Sequence, residues 1–258
     1  YTAEVQAEMK ASWYGQFRII ASNLGKSFDI SAVAKQEFAS YLHGSPLDAT
    51  WTGGGDVSTP DAGDPAAGMP PEHWFDRWFS GSDNPRGLVS LADGSTFKVY
   101  YGDTDNGLLI NGYYGLSIDN VDQGRLDDCY FMAALAEVAH QAPKNIVNMA
   151  GYMPNGLISV RFFVGGEPVY IVENRSIPYQ VFYDQFYSLL LNKAQWANWA
   201  EKAYAELQGG YATTGNTSAA GNSWTSIGNG GSALFALATI TGSSRLIQYT
   251  AHGASWTE

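Results

Sequence analysis

Residues 123–136 read Gln-Gly-Arg-Leu-Asp-Asp-Cys-Tyr-Phe-Met-Ala-Ala-Leu-Ala, and the single cysteine of the chain, Cys129, stands at the centre of this stretch. From Cys129 to Gln141 apolar residues recur at helical spacing, and neither Gly nor Pro interrupts them before Pro143. The pattern predicts a helix that begins at the cysteine. Its expected buried face consists of Met132, Ala133, Leu135, Ala136 and Ala139.

A cysteine at the start of a helix is well placed to act as a nucleophile. Unpaired backbone N–H groups and the positive end of the helix dipole favour the reactive thiolate over the thiol. Asp127 and Asp128 oppose this effect electrostatically, unless one of them caps the helix and points away. A lone cysteine before an apolar helix is also a common packing residue, because free cysteines are among the most buried side chains.

Gln123 favours the catalytic interpretation over the packing one. It lies six residues before Cys129, with Gly124 between them. A side-chain amide at that position can join the backbone N–H of Cys129 as a donor to the oxyanion of a tetrahedral intermediate. We therefore predict that Cys129 and Gln123 are the catalytic residues of the chain.

The same stretch resembles the active-site segment of the calpain family of papain-like cysteine proteases, Gln-Gly-x-Leu-Gly-Asp-Cys-Trp-Phe/Leu-Leu-Ala-Ala-x-Ala. Three further blocks are similar to the family in the same order: residues 158–178, 199–205 and 230–242. The resemblance covers about residues 108 to 243. Two positions depart from it, because Asp127 replaces a family Gly and Tyr130 replaces a family Trp.

The resemblance implies an α+β fold, namely the Cys-bearing N-terminal lobe of a papain/calpain-like protease, mainly helical with a small antiparallel hairpin. Residues 108–258 would form this subdomain, and residues 1–107 an N-terminal helical extension or pro-region with a long loop at about 53–71. Local patterns predict strands over 158–164 and 168–173, helices over 196–207 and 233–240, and mostly loop over 208–232. Apolar spacing also predicts helices over 3–24 and after Ser31, and Asp93-Gly94 and Asn106-Gly107 are hairpin signals.

The resemblance stops before a papain-type active site is complete. Such a nucleophile needs a His as base and an Asn or Asp to orient it, about 130 to 150 residues downstream. His252 comes too early and in a different setting, and His140 lies on the same predicted helix as Cys129, about 16 Å away. We therefore expect the His and Asn on sequence or a second chain beyond residue 258, and we expect this chain alone to be inactive.

In calpains the Cys lobe also binds calcium. The resemblance implies Ca2+ held by the backbone carbonyls of Tyr113 and Gly115, the side chain of Asn120 or Asp119, and Glu201, all of them oxygen donors. The alternative is that Asp119 and Asp122 are solvated loop acids and that Glu201 forms a pair on a helix surface; it is supported by Asn120, which stands where the family has a carboxylate.

Composition limits the other classes of function. The 258 residues are 45% hydrophobic and 15% charged, which is enough to bury a large core. A net charge of −11 makes nucleic acid an unfavourable partner, and the apolar runs are too short to span a membrane. Abundant Trp, Tyr and Gly with few Lys suggest a secreted or cell-surface protein of bacterial type.

Two functional hypotheses follow. In the first, the chain is the Cys-bearing part of a calpain-like cysteine endopeptidase that acts on peptide or protein substrates. In the second, it is a non-catalytic calpain-like module with an adhesion, assembly or structural role, a hypothesis supported by the missing His and Asn.

Overall fold

The computed structural model of the chain describes residues 81, 84–103, 116–124, 126–153, 156–179, 195–210 and 224–245, together with residue 16. Apart from residue 16, the helix predicted over 3–24 lies outside the described residues, and so do the helix predicted after Ser31, the loop at 53–71 and the Asn106-Gly107 turn. The N-terminal helical extension therefore stays a prediction.

Four α-helices and seven strands make up the regular structure of the described residues. In chain order they are β1 Leu88–Ser90, β2 Thr96–Lys98, β3 Tyr100–Asp103, α1 Cys129–Gln141, α2 Pro143–Val147, β4 Ala150–Tyr152, β5 Ile158–Val164, β6 Glu167–Glu173, β7 Ser176–Tyr179, α3 Trp196–Gly210 and α4 Ala233–Thr241. Short 3-10 helices cover Ile118–Asn120 and Trp224–Ser226. None of these helices is long and apolar enough to cross a bilayer.

The strands form three antiparallel sheets, with the orders β4-β5-β6, β3-β7 and β1-β2. Strands β5 and β6 and the turn between them agree with the sequence patterns, and Gly165 and Gly166 provide that turn with φ values of 61° and 89°. Positive φ at both central positions is what a two-residue hairpin turn requires. The Asp93-Gly94 turn between β1 and β2 also agrees with its prediction.

Helix α1 has the predicted bounds and forms the centre of the core. Phe131 and Leu135 are fully buried, and the Phe131 ring stacks on that of Tyr204 in α3, with centroids 3.9 Å apart. The predicted buried face is correct at Met132, Leu135 and Ala139, but Ala133 is exposed. Phe131 and Val138 are buried in addition, because the helix packs against both α3 and α4 and so buries a wider face.

The fold is α+β, but "mainly helical with a small hairpin" understates its sheets. Strand β3 lies before residue 107, in the part assigned to the N-terminal extension, and pairs with β7 after it. A pairing of segments more than 70 residues apart leaves no local signal in the sequence. The predicted helix over 196–207 continues to Gly210, and α4 ends at Thr241, where Gly242 caps it with φ 72°.

Helix α3 is buried around most of its circumference and carries charged residues into the interior. Lys202 has no exposed surface, and its Nζ lies 2.7 Å from a carboxylate oxygen of Glu173 at the end of β6. The ammonium also donates to Asn174 Oδ1 at 2.9 Å and to the Ser176 carbonyl at 3.3 Å, and it lies 5.6 Å from the centre of the Tyr101 ring. This cluster ties α3 to β3, β6 and β7.

We predict that Lys202→Met lowers the free energy of unfolding by roughly 3–5 kcal/mol, because it leaves the Glu173 carboxylate buried without its cation. The double variant Lys202→Met/Glu173→Leu is expected to recover much of the loss. Urea unfolding monitored by tryptophan fluorescence measures both. Lys144→Met, on exposed Lys144 of α2, is the control and should change stability by less than about 0.5 kcal/mol. An equal effect of both single substitutions would contradict this role of Lys202.

Candidate functional site

Cys129 is the first residue of α1, and its side chain is exposed. The first N–H groups of a helix have no acceptor within the helix. Asp128 is the N-cap residue, but its side chain makes no capping hydrogen bond. The thiol therefore stands at the open N-terminus of a long helix, at the protein surface, and the packing interpretation of Cys129 does not describe its environment.

Gln123 is also exposed and lies on the same loop, and its amide is held by a hydrogen bond. Its Nε2 donates to the backbone carbonyl of Leu126 at 2.7 Å. An amide NH2 has two hydrogens, so this bond uses one and leaves the other free to donate. The interaction fixes the loop between Gln123 and the cysteine, and it orients the amide without exhausting it.

The two aspartates before the cysteine have different environments. Asp127 is exposed, whereas Asp128 is fully buried. Among the described residues, no backbone N–H, amide or alcohol group donates to the carboxyl oxygens of Asp128. The hydrogen bond of Asp128 is instead with another carboxyl group, that of Glu201 in α3. A hydrogen bond between two carboxyl groups requires a proton on one of them. Burial raises the pKa of Asp128 to about 7, so this aspartate stays largely uncharged beside the thiol in mildly acidic solution.

A second segment, residues 224–231, packs against the cysteine loop from the other side. The N–H of Gly230 donates to the Asp127 carbonyl at 2.9 Å, and Asn229 and Asp127 form a parallel bridge. Gly231 lies directly against the ring of Tyr130, where an added Cβ would clash with the ring carbons. Sequence reasoning found the Gly230-Gly231 pair only through the family resemblance. It did not find Asn229, because a single Asn in a glycine-rich stretch carries no signal.

Histidine is the functional group that the described residues do not bring to Cys129. His140 is the one histidine among them, and it lies eleven residues further along α1, near the opposite end of the helix. At 1.5 Å per residue the two Cα atoms are about 16 Å apart, as the sequence predicted. Within the described ranges, Cys129 therefore has an exposed thiol and the Gln123 amide on its loop, but no histidine beside it that could serve as a base.

The described part of the predicted calcium site does not fit a calcium ion. Asn120 is buried, and its Oδ1 accepts hydrogen bonds from the Ser117 N–H at 3.0 Å and from Trp196 Nε1 at 3.2 Å. These two donors occupy the amide oxygen and leave Nδ2, a donor that repels cations, as the other polar atom. Glu201 is buried and hydrogen-bonded to Asp128.

The remaining residues of the proposed calcium set add no support for it. Tyr113 and Gly115 lie outside the described residues, and Asp119 is exposed and accepts a hydrogen bond from the Ser117 hydroxyl. The part of the chain that is described holds no group of three His, Cys, Asp or Glu residues suited to a metal.

Comparison with known proteins identifies relatives. Residues 106–247 match the sequence model of the calpain family cysteine proteases. The calpain-type cysteine protease ADL1 of Oryza sativa subsp. japonica is 33% identical over 94 residues, and the calpain-type cysteine proteases DEK1 of Zea mays and Arabidopsis thaliana are 32% and 35% identical over 94 and 95 residues. Each alignment covers 36% of this chain and 4% of the relative, so the chain matches only a small part of these plant proteins. These relatives give no support to a bacterial origin.

We expect Ca2+ to add no thermal stability through the predicted calcium residues Asn120 and Glu201. Because Asn120 already uses its acceptor, millimolar Ca2+ should raise the melting temperature no more than Mg2+ does. Differential scanning fluorimetry with chelator, Mg2+ and Ca2+ checks this. A saturable stabilisation by Ca2+ that Glu201→Gln abolishes would contradict the prediction.

Asp128→Asn should change the pH dependence of stability. In the wild type the native state holds a proton on Asp128 up to a pKa of about 7, whereas the unfolded chain releases it near 3.8, so this group lowers stability as pH rises from about 4 to about 7. The amide cannot ionise, so the variant should gain stability relative to wild type across that range, by at most about 4 kcal/mol. Urea unfolding at pH 4.5, 6 and 8 measures the difference, with Asp127→Asn as the exposed control. Parallel pH curves for wild type and Asp128→Asn would contradict the prediction.

Proposed function

Because the chain belongs to the calpain family of cysteine proteases, we propose that it is the Cys-bearing part of a calpain-like endopeptidase with Cys129 as its nucleophile. The observation that carries the proposal is the exposed thiol of Cys129 at the N-terminus of α1, where no side chain caps the helix. Peptide bonds of protein substrates are the expected target, as the family membership implies.

The proposed reaction begins when the Cys129 thiolate attacks the carbonyl carbon of a peptide bond. The π electrons move to the carbonyl oxygen, and the new oxyanion accepts hydrogen bonds from the Cys129 backbone N–H and from the free amide hydrogen of Gln123. The C–N bond then breaks, and the amine leaves with a proton from the protonated base, which took that proton from the thiol when the thiolate formed. Water hydrolyses the resulting thioester and restores the thiol.

The buried position of Asp128 supports this chemistry in two ways. A carboxylate that capped α1 would occupy the N–H groups that the oxyanion needs, and a charged one beside the sulfur would disfavour the thiolate. In the structure the Asp128 side chain is turned inward to Glu201. The loop therefore keeps its donors free and places part of its negative charge in a protonated pair.

The base and its orienting residue are proposed to come from sequence or a chain beyond Glu258. Two considerations support this: proton transfer to the leaving amine needs a group that the described residues do not place near Cys129, and the His and Asn of the family lie further downstream than the segments that resemble it here. The isolated chain is then expected to lack turnover. Substrate subsites would be shared between this lobe and the part that supplies the base.

The second candidate is a non-catalytic calpain-like module with a structural, adhesion or assembly role. One specific observation favours it: His140, the histidine of the described ranges, is remote from Cys129. In that case the open helix N-terminus and the exposed thiol would have no catalytic partner. The two candidates differ in whether Cys129 reacts in the full-length protein.

We predict that a peptide aldehyde traps Cys129 in the full-length protein at neutral pH, with mass spectrometry locating the adduct on the only cysteine of residues 1–258. Cys129→Ala should abolish the adduct. If the folded full-length protein resists both the aldehyde and iodoacetamide, the module hypothesis replaces the protease.

Gln123→Ala is expected to lower kcat of the full-length enzyme about 100-fold with little change in KM, because an oxyanion donor acts mainly in the transition state. Gln123→Glu should be at least as damaging, since its carboxylate opposes the oxyanion. Gln141→Ala, at the exposed far end of α1, serves as the matched control. A Gln123→Ala enzyme with wild-type kcat would remove Gln123 from the oxyanion hole.

A further inference from the structure

The hairpin β1–β2 precedes the segment that matches the calpain family, yet it is hydrogen-bonded directly to residues 224–231, which pack against the cysteine loop. The N–H of Ser90 donates to Thr225 Oγ1 at 3.0 Å. The side chain of Asn229 donates through Nδ2 to the carbonyl of Ser90 at 3.3 Å and to the carbonyl of Thr225 at 3.2 Å. One amide group therefore joins the hairpin to the 224–231 segment.

The backbone around the same residue holds the cysteine loop. Asn229 forms the parallel bridge with Asp127, and the next residue, Gly230, donates its N–H to the Asp127 carbonyl. Asp127 is two residues before Cys129 in the chain. The Asn229 side chain thus binds β1, and the Gly230 N–H that follows it in the chain binds the Asp127 carbonyl, two residues before the Cys129 N–H.

The hairpin is a firm support for this series. Val89 of β1 is completely buried, and so is Trp224, the first residue of the 3-10 helix that carries Thr225. Trp224 Nε1 donates to the hydroxyl of Tyr101 at 2.8 Å, and that hydroxyl in turn donates to the Pro85 carbonyl. Residues 85–101 therefore pack onto the 224–231 segment through both apolar and polar contacts.

We propose that Asn229 is a positioning residue for Cys129, an assignment that rests on the proposed function of Cys129 as nucleophile. The side chain of Asn229 is exposed, so it contributes little to the core. Both of its partners are carbonyl oxygens, and only a donor satisfies them. An amide donates to both oxygens, whereas a carboxylate of the same shape cannot. The position therefore depends on the ability of the side chain to donate hydrogen bonds and not on its size.

The role of Asn229 is to fix the oxyanion donor of the cysteine loop. The Cys129 N–H must point at a developing oxyanion, and small misplacements of such donors reduce rate strongly. By holding β1 and the Thr225 turn together, Asn229 limits the motion of Gly230 and of the Asp127 carbonyl bonded to it. Among the contacts between the hairpin and the 224–231 segment, the Asn229 amide is the one adjacent in sequence to the Gly230 N–H that binds the Asp127 carbonyl.

The test compares Asn229→Asp with Asp93→Ala in the 258-residue chain. Asp93 is fully exposed and supports the hairpin turn by accepting the Ser95 N–H, so its loss perturbs the hairpin away from Asn229. We expect Asn229→Asp to speed hydrogen exchange of the Gly230 amide about tenfold and to shift the Cys129 amide resonance, whereas Asp93→Ala leaves both unchanged. Thr225→Val, which removes only the acceptor for the Ser90 N–H, should give a smaller change in the same direction and substitutes if Asn229→Asp fails to fold.

Kinetics of the full-length enzyme provide the second measurement. Asn229→Asp should lower kcat about tenfold with KM within a factor of two, and Asn229→Gln should retain more activity than Asn229→Asp because it keeps the donor. Unchanged Gly230 exchange and an unmoved Cys129 resonance in Asn229→Asp would overturn the positioning role, as would equal effects of Asn229→Asp and Asp93→Ala. Failure of the proposed function is distinguishable, because Cys129 would then be inert in the wild-type protein before any substitution.

Discussion

The buried ion pair between Lys202 and Glu173 is the interaction on which the rest of the lobe depends. A charged ammonium with no exposed surface is tolerated only where other groups replace its water, and here a carboxylate, an amide oxygen and a backbone carbonyl do so. Those partners come from β6, the turn after it and β7, so the ion pair fixes α3 against two sheets. Glu201, the preceding residue in α3, faces a different direction and bonds to Asp128 beside Cys129. Adjacent residues of one helix thus tie the sheets and the cysteine loop to the same element.

This arrangement explains how a loop rich in acids can present an exposed cysteine at a helix N-terminus. Asp128 would normally be expected to cap α1, but the interior offers it the Glu201 carboxyl, and its burial keeps a proton on the pair. Asp127 contributes through its backbone carbonyl, which accepts the N–H of Gly230, while its side chain remains in solvent. The family has a glycine at position 127, and this chain accommodates an aspartate there because the side chain extends into solvent. Tyr130, in place of a family Trp, packs its ring on Gly231, so an aromatic side chain joins the two segments in this chain.

Local patterns predicted the elements that depend on neighbouring residues. The bounds of α1, the β5–β6 hairpin with its two glycines, and the end of α4 at Gly242 all follow from spacing and turn chemistry. The exposed positions of Cys129 and Gln123 also agree with what a catalytic pair requires, although their roles stay predictions. The sequence could not predict the contacts between distant segments. These are the pairing of β3 with β7, the hydrogen bond from Asn229 to the Ser90 carbonyl, and the hydrogen bond between Asp128 and Glu201. Each joins segments with no shared pattern, so only the folded chain brings them together.

The calcium prediction depends on one atom at position 120, where this chain has the NH2 group of Asn120 and the family has a carboxylate oxygen. An aspartate at position 120 would offer two carboxylate oxygens, enough to accept from Ser117 and Trp196 and still ligate a cation. Asn120 offers one oxygen, and both N–H donors use it. The exchange of an oxygen for an NH2 group therefore retains the internal hydrogen bonds and removes the ligand. Glu201 is hydrogen-bonded as well, to Asp128, so both described side chains of the predicted calcium set bind other groups of the protein. Asn120 links the Ser117 turn to α3, and Glu201 links α3 to the cysteine loop. The hydrogen bonds of these two side chains therefore connect the Ser117 turn, α3 and the residue that precedes Cys129 to one another.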